Sequence, residues 1–186
     1  GRPEWALRKW IVGMKAAIMM ASRNIPTLNV FVPRTGYDKL LQETVSHSAP
    51  RSAIYLDQPL ERQVALLTAA LPETRTAGVL YSSSLPEVAN LRRLLSKKNI
   101  RLQEREVGKS RNLNAALVSV LEQSDVLIVL PDTEIFNAAT IRNILLTSYR
   151  KQVPLLGISQ AYVKAGALCA VYSTPQQIAE QSVAMI

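Results

Sequence analysis

Histidine and cysteine are scarce in this chain and glycine-rich phosphate motifs are absent, and these absences exclude several kinds of chemistry. The 186 residues include seven glycines, and none of them forms the G-x-G-x-x-G or G-x-x-x-x-G-K-[ST] pattern that cradles nucleotide phosphates. This argues against nucleoside triphosphatases and, less strongly, against dinucleotide dehydrogenases. One histidine and one cysteine cannot form a zinc cluster of the usual spacing. We therefore expect no metal site and no cofactor.

The lone cysteine and the lone histidine each have an ordinary structural explanation. Cys169 lies in the apolar run ALCAVY, which is typical of a buried small hydrophobic residue rather than a reactive thiol. A single cysteine also excludes an internal disulfide framework. His47 lies in a polar loop, and no Ser-His-Asp set can be built at the strand ends without it. We therefore expect no catalytic residue.

The chain is basic, with a net charge of +8 and a pI of about 9.9. The charge is densest between Arg92 and Arg111, where no aromatic residue is interleaved. A solvated helix face followed by an edge strand explains this stretch, and nucleic-acid binding is the alternative. We favour the first interpretation and expect no nucleic-acid partner.

No segment of the sequence has the features of a membrane span or a signal peptide. The most apolar stretch near the start, Trp10 to Ala21, is interrupted by Lys15 and is shorter than the roughly 20 residues that a spanning helix needs. It also lacks the small-residue cleavage pattern of a signal peptide.

Short apolar strands alternate with amphipathic helices from about Thr76 onwards. AGVLY (77–81), VLIVL (126–130) and VPLLGI (153–158) read as strands that are buried on both faces. Residues 77–186 follow the order β-α-β-α-β-α-β-α-β-α, which predicts an α/β fold with a doubly wound parallel sheet. The charged strand from Arg101 to Val107 is expected at an edge, and the strand from Val126 to Leu130 at the centre.

Several helix ends are marked by capping residues. We predict capping boxes at Ser84 with Glu87 and at Thr174 with Gln177. Ser110 and Asn137 are predicted to cap two further helices, and Gly166 is predicted to end a short helix in a left-handed conformation.

Polar residues follow three of the predicted strands where each strand ends. The loop from Tyr81 to Ser84 offers hydroxyls and free amides at a helix start, which suits an anion. Asp132 either accepts backbone N–H bonds in its own turn or meets a cationic or hydroxyl group of a ligand. Ser159 either caps the next helix or reaches the same cleft. In α/β proteins the carboxyl ends of the strands form the ligand site.

These loops together suit a small zwitterion. Its carboxylate would lie at the helix start formed by Ser82, Ser83 and Ser84, and its ammonium would lie near Asp132. This hypothesis rests on the placement of the loops alone.

The sequence from roughly Ser52 to the C-terminus resembles a known family. IYLDQPLERQVALLTAALPETRTAGVLYSSS, followed by DVLIVLPDTEIFNAATIRNILLTSYRKQVPLLGISQAYVKAGALCAVYSTPQQIAEQ, resembles the substrate-binding proteins of ABC transporters. The resemblance is to the tryptophan/tyrosine-type group with a type I periplasmic-binding fold. It implies two α/β lobes that close on a ligand, and no catalysis. Carried over by position, the ligand-binding residues are Tyr81, Ser82, Ser83, Ser84, Asp132, Thr133 and Ser159.

The resemblance also implies a domain organisation and a set of partners. Residues 1–57 would be part of an N-terminal lobe that starts before Gly1, residues 58–172 a C-terminal ligand-binding lobe, and residues 173–186 a helix that returns to the first lobe. The implied role is to capture a small polar organic ligand, an amino acid being one candidate, outside the cytoplasm and to deliver it to an ABC permease. Exposed apolar surface on the partial lobe would allow two copies to pair. A ligand-sensing regulatory domain of the same fold and a small α/β enzyme remain the alternatives.

Overall fold

The computed structural model describes residues 9–44, 49–82, 86–108 and 112–185, and the chain divides into two α/β units. Residues 1–57 and 173–186 form the first unit, and residues 58–172 form the second.

Strands and helices alternate along the described ranges, as the apolar pattern predicts. In chain order they are β1 (Lys9–Val12), α1 (Met14–Met20), β2 (Thr27–Val32), α2 (Arg34–Glu43), β3 (Arg51–Tyr55), α3 (Leu60–Ala70), β4 (Thr76–Tyr81), α4 (Pro86–Ser96), β5 (Arg101–Glu106), α5 (Leu113–Leu121), β6 (Val126–Ile128), α6 (Ile141–Arg150), β7 (Leu155–Gly157), α7 (Gln160–Lys164), β8 (Cys169–Ala170) and α8 (Pro175–Ala184). Among the helices in these ranges, none combines the length and apolar character needed to cross a bilayer.

The first unit is a three-stranded parallel sheet in the order β1-β2-β3. A β-bulge interrupts β2, where Phe31 adopts a left-handed backbone (φ +58°) between the paired residues Val30 and Val32. The final helix α8 belongs to this unit because its Ile178 is buried in a cluster with Leu28, Val30 and Ile54.

The second unit is a five-stranded parallel sheet in the order β5-β4-β6-β7-β8. This is a doubly wound sheet, so the fold class predicted from the sequence is confirmed. The charged strand β5 lies at one edge and the apolar strand β6 at the centre. Both positions follow from composition, because a strand covered on both faces must be apolar throughout.

Helices cover both faces of the second sheet. On one face, α3 and α4 bury their apolar sides in a cluster that includes Val64, Leu67, Leu91, Leu95, Val79 and Ile128. On the other face, α5 and α6 pack in a cluster that includes Leu117, Val120, Ile144, Leu80, Leu127 and Val129. The alternation along β4 and β6 sends successive side chains to opposite clusters, which fixes both strands in register.

Capping residues mark several helix ends, although not always the predicted ones. Thr174 and Gln177 form the predicted capping box at α8, and Gly166 after α7 has φ +116°. The prediction for α5 was wrong: its N-cap is Asn112, whose side chain accepts from the Asn114 amide, whereas Ser110 lies outside the described residues. The predicted cap at Ser84 also lies outside them.

Asn137 caps the turn that precedes α6, not α6 itself. Its Oδ1 accepts from the amides of Ala139 and Thr140, and Thr140 is the residue at the helix N-cap. The prediction that Asn137 caps α6 was therefore wrong, because an Asx side chain can accept from the first free amides of any turn and not only from those of a helix.

Gly157 offers a direct test of how tightly α7 packs on the sheet. A Cβ atom placed on Gly157 would lie 2.5 Å from Cβ of Tyr162 in α7, so Gly157→Ala must displace the helix. We expect a loss of about 1–3 kcal/mol in the free energy of unfolding, the usual cost of overpacking. Thermal or urea unfolding measures it. Gly108→Ala is the control, because a Cβ atom placed there would have no described atom within 4 Å, and a loss of similar size would contradict the explanation.

Candidate functional site

Three neighbouring strands of the second sheet end in the candidate loops. β4, β6 and β7 are adjacent and parallel, so the segments that leave them must emerge at the same edge. Gly78 is paired with Leu127, and Leu127 with Leu155. Four residues further along each strand, the same register places Ser82, Pro131 and Ser159 side by side. The three loops therefore start at the same level of the sheet. Strands lie about 4.8 Å apart, so the three loops share roughly 10 Å of one edge.

The direction of chain winding reverses at this edge. From β4 the chain moves to β5 on one side, and from β5 it crosses to β6 on the other side of β4. The connections that follow β4 and β6 therefore lead to opposite sides of β4, which makes the point between these two strands a topological switch point. In open α/β sheets this topological switch point is where ligands bind. Ser82 and Asp132 lie on the two sides of it.

The carboxylate of Asp132 bridges the two sides of the switch point. Its Oδ2 accepts a hydrogen bond from the Ser82 amide, with an N···O distance of 2.7 Å. Its Oδ1 accepts from the amides of Glu134 and Ile135, at 3.0 and 3.4 Å. The Asp132 carbonyl accepts from the Phe136 amide at 2.8 Å. One side chain, 7% exposed, thus satisfies amides from two segments that are about fifty residues apart.

These contacts bear out the first of the two interpretations of Asp132 that the sequence left open, and they leave the second untested. The carboxylate accepts backbone N–H bonds in its own turn, as the first interpretation has it, and it does the same for the neighbouring loop. The Ser82 amide is engaged by this contact and is not offered to a ligand anion. Oδ2 carries a single described hydrogen bond and keeps acceptor capacity. Contact between Asp132 and a ligand stays a prediction.

Asn137 supports the same turn and was not recognised as part of the site from the sequence. Its Nδ2 donates to the carbonyl oxygens of Thr133 and Glu134, both at 3.2 Å. The turn after β6 is therefore fastened at both ends, by Asp132 and by Asn137. Thr133 lies at its exposed tip. The signal was present as the pattern D-x-x-x-x-N, in which Asx side chains satisfy the free groups of a turn.

Tyr81 lies beside the switch point with its ring against the α3 and α4 face of the sheet. Burial raises the pKa of the phenol above its usual value near 10, and the nearby carboxylates of Glu104 and Glu106 raise it further. Arg92 opposes this effect but is itself held by Glu104, with N···O distances of 2.6 and 2.7 Å. Tyr81 therefore presents a neutral hydroxyl near neutral pH.

The remaining candidates fall into two groups. Ser159 is the N-cap residue of α7, yet its hydroxyl makes no capping hydrogen bond, so the capping alternative does not account for it. Ser83 and Ser84 lie outside the described residues. Within the described residues the structure thus brings Ser82, Asp132 and Ser159 to three adjacent strand ends.

Two hollows occur elsewhere in the described part of the chain. One is small and lies in the first unit, beside Asn29, Tyr37 and Arg51. The other encloses about 540 Å³ between the end of α6 and the start of β7, where Tyr149, Pro154 and Leu168 line it. This hollow opens at the amino edge of the second sheet, which is opposite to the candidate loops.

The fold is that of a doubly wound α/β unit with polar residues at its switch point, and comparison with known proteins supplies the family. The family model described as ABC transporter substrate binding protein matches residues 54–186. The match covers more than half of the chain. The chain therefore belongs to the family of ABC transporter substrate-binding proteins, which confirms the resemblance seen in the sequence. No curated protein matches the chain.

Solved structures share the fold at low sequence identity. A conserved domain protein from Vibrio cholerae is 22% identical with a TM-score of 0.67, over 96% of this chain and 63% of that one. An ABC domain from Streptococcus pneumonia, in complex with L-Trp, is 18% identical with a TM-score of 0.68, over 94% of this chain and 62% of that one.

A third structure is the ligand-free, open form of a substrate-binding protein with adhesive properties from Clostridium difficile. It is 18% identical with a TM-score of 0.62, over 96% of this chain and 63% of that one. The chain thus spans less than two thirds of the length of these structural relatives.

The environment of Tyr81 predicts how stability changes in alkali. Because burial raises the pKa of the folded phenol above the unfolded value, its contribution is fully present below about pH 10 and is lost as the pH rises through the folded value. We expect Tyr81→Phe to lessen the fall in the free energy of unfolding above pH 10, measured by urea unfolding at several pH values.

The control for this prediction is Tyr149→Phe, which alters a side chain that is 83% exposed. It should keep the wild-type alkaline profile. Identical profiles for wild type and Tyr81→Phe would show that the environment of Tyr81 does not stabilise its protonated form.

Proposed function

We propose that the protein is the non-catalytic solute-binding component of an ABC importer, and that it captures a small polar organic molecule. The family supports a solute-binding role. The structural relative from Streptococcus pneumonia holds L-Trp, which makes amino acids the first ligands to test. Release of the ligand to a permease follows from the same role.

The single observation that carries the proposal is the meeting of three polar loops at the switch point. Ser82, Asp132 and Ser159 follow three adjacent parallel strands. Hydroxyl and carboxylate groups at such an edge can orient a polar ligand. The proposed ligand contacts are completed by Tyr81, Ser83 and Ser84 around the end of β4 and by Thr133 in the turn after β6.

A role in transport also implies where the protein works. We propose that it acts outside the cytoplasm, where an importer's binding component meets its solute, and that its partner is an ABC permease. A ligand-sensing regulatory domain of the same fold would bind at the same edge but would act on a signalling or DNA-binding module. Co-purification with a permease distinguishes the two roles.

Ligand binding can be tested with a panel of amino acids, polyamines and sugars. A ligand that binds the folded state alone must raise the melting temperature. At a ligand concentration of one hundred times Kd, the free energy of unfolding rises by about 2.7 kcal/mol. We expect at least one amino acid, L-tryptophan being the first tested, to stabilise the protein in a thermal-shift assay and to release heat in calorimetry. No response to any member of the panel would contradict the proposal.

The position of the site can be tested with two serine variants. Ser159→Ala removes a hydroxyl at the proposed edge, and we expect the affinity for the ligand to fall by about two- to tenfold, the value of one neutral hydrogen bond. Ser96→Ala is the matched control, because that hydroxyl donates to the Arg93 carbonyl within α4. Equal losses in the two variants would place the site elsewhere.

We also propose that two copies of the chain can pair through the first unit. Val12 and Met19 are 62% and 78% exposed there, and exposed apolar side chains of this size favour association. We expect a concentration-dependent dimer in sedimentation velocity that Met19→Lys dissociates. Leu146→Lys, at a 46% exposed position on α6 in the second unit, should leave it intact. A monomer at all concentrations would refute pairing.

A further inference from the structure

The contacts of Asp132 extend beyond those of an ordinary turn residue. A carboxylate has two oxygens, and here each oxygen serves a different segment of the chain. Oδ2 binds the loop that leaves β4, and Oδ1 binds the turn that follows β6. We call these hydrogen bonds from the amides of Ser82, Glu134 and Ile135 the Asp132 tie. The tie spans the switch point at which the ligand is proposed to bind.

The tie requires a side chain with two acceptor oxygens and not merely a polar side chain. All its described partners are N–H donors, so both oxygens must act as acceptors. In an asparagine of the same shape, one oxygen is replaced by an NH₂ group that would face an amide hydrogen. The side chain is 7% exposed, which leaves little room for water to replace a lost partner.

A second aspartate ties the same two strands at their other ends. Oδ2 of Asp125, just before β6, accepts from the amides of Arg75 and Thr76, both at 2.8 Å. The Asp125 amide in turn donates to the Thr76 carbonyl at 2.8 Å. Both aspartates therefore hold β4 next to β6, Asp125 at the amino edge and Asp132 at the carboxyl edge. The six residues of β4 separate these edges by about 20 Å.

We propose that Asp132 is a positioning residue for ligand binding, which sets Ser82 at the exit of β4 and the turn after β6 in the arrangement that the ligand meets. This inference rests on the proposed function of the same edge. Asp125 performs the equivalent structural task away from that edge. The comparison of the two therefore separates a general contribution to stability from a specific effect on the site.

The experiment compares Asp132→Asn with Asp125→Asn in the whole protein. Amide hydrogen exchange, followed by NMR, reports each tie directly. We expect Asp132→Asn to speed exchange of the Ser82 amide by about tenfold or more, and Asp125→Asn to do the same at Arg75 and Thr76 instead. The affinity for L-tryptophan, or for whichever panel member binds the wild type, is measured by calorimetry on the same samples.

The expected affinities differ between the two variants. Asp132→Asn should weaken binding by about tenfold, as the loss of part of a charge-assisted hydrogen-bond set would. Asp125→Asn should bind within about twofold of wild type, because sites this far apart act independently. Unchanged affinity in Asp132→Asn, or equal losses in both variants, would overturn the positioning role.

Two further outcomes are informative in different ways. Unchanged exchange at Ser82 in Asp132→Asn would show that the tie does not hold the loop, and would overturn the inference even if affinity fell. A wild-type protein that binds no panel member would instead reject the proposed function, and with it any positioning role in binding. The two failures are therefore distinguishable.

Discussion

The hydrogen-bonded pairing of β4 with β6, and of β6 with β7, determines where every other part of the second unit can lie. Parallel pairing forces the three strands to end at one edge. It also forces each connection to cross back over a face of the sheet, which is why helices cover both faces and why β6 has to be apolar along its length. The polar residues that follow these strands could only gather at a single edge.

Backbone amides lose their strand partners where a buried parallel strand ends. In both units an aspartate side chain accepts hydrogen bonds from such amides. In the second unit Asp132 accepts from the amide of Ser82 on the neighbouring strand's exit loop. In the first unit Asp57, two residues after β3, accepts from the amide of Arg34, the first residue of α2 after β2. The guanidinium of Arg34 also lies 4.4 Å above the ring of Tyr55. The same physical need is therefore met by the same residue type at both carboxyl edges.

The sequence predicts the fold well because the fold depends on patterns that are local in the chain. Apolar runs such as Val126 to Leu130, separated by amphipathic helices, are enough to predict parallel strands. They also indicate which strands lie at the centre of the sheet. The charged strand β5 could be placed at an edge for the same reason. Helix starts were less predictable. Asn112 and Ser110 are both residue types that cap helices well, so the sequence alone does not choose between them, and α5 begins directly after Asn112.

That the candidate residues lie at one edge of the sheet was predictable from the sequence, and the hydrogen bonds of their polar groups were less so. That Tyr81, Asp132 and Ser159 end neighbouring strands follows from topology. That the Asp132 carboxylate is engaged by the amide of a residue fifty positions earlier does not, because no local pattern encodes the partner of a long-range hydrogen bond. This changes the chemistry expected of a ligand. A zwitterion would meet an acidic group that already has three N–H donors, so the orientation of its ammonium would depend on hydroxyl groups nearby as much as on the carboxylate's charge.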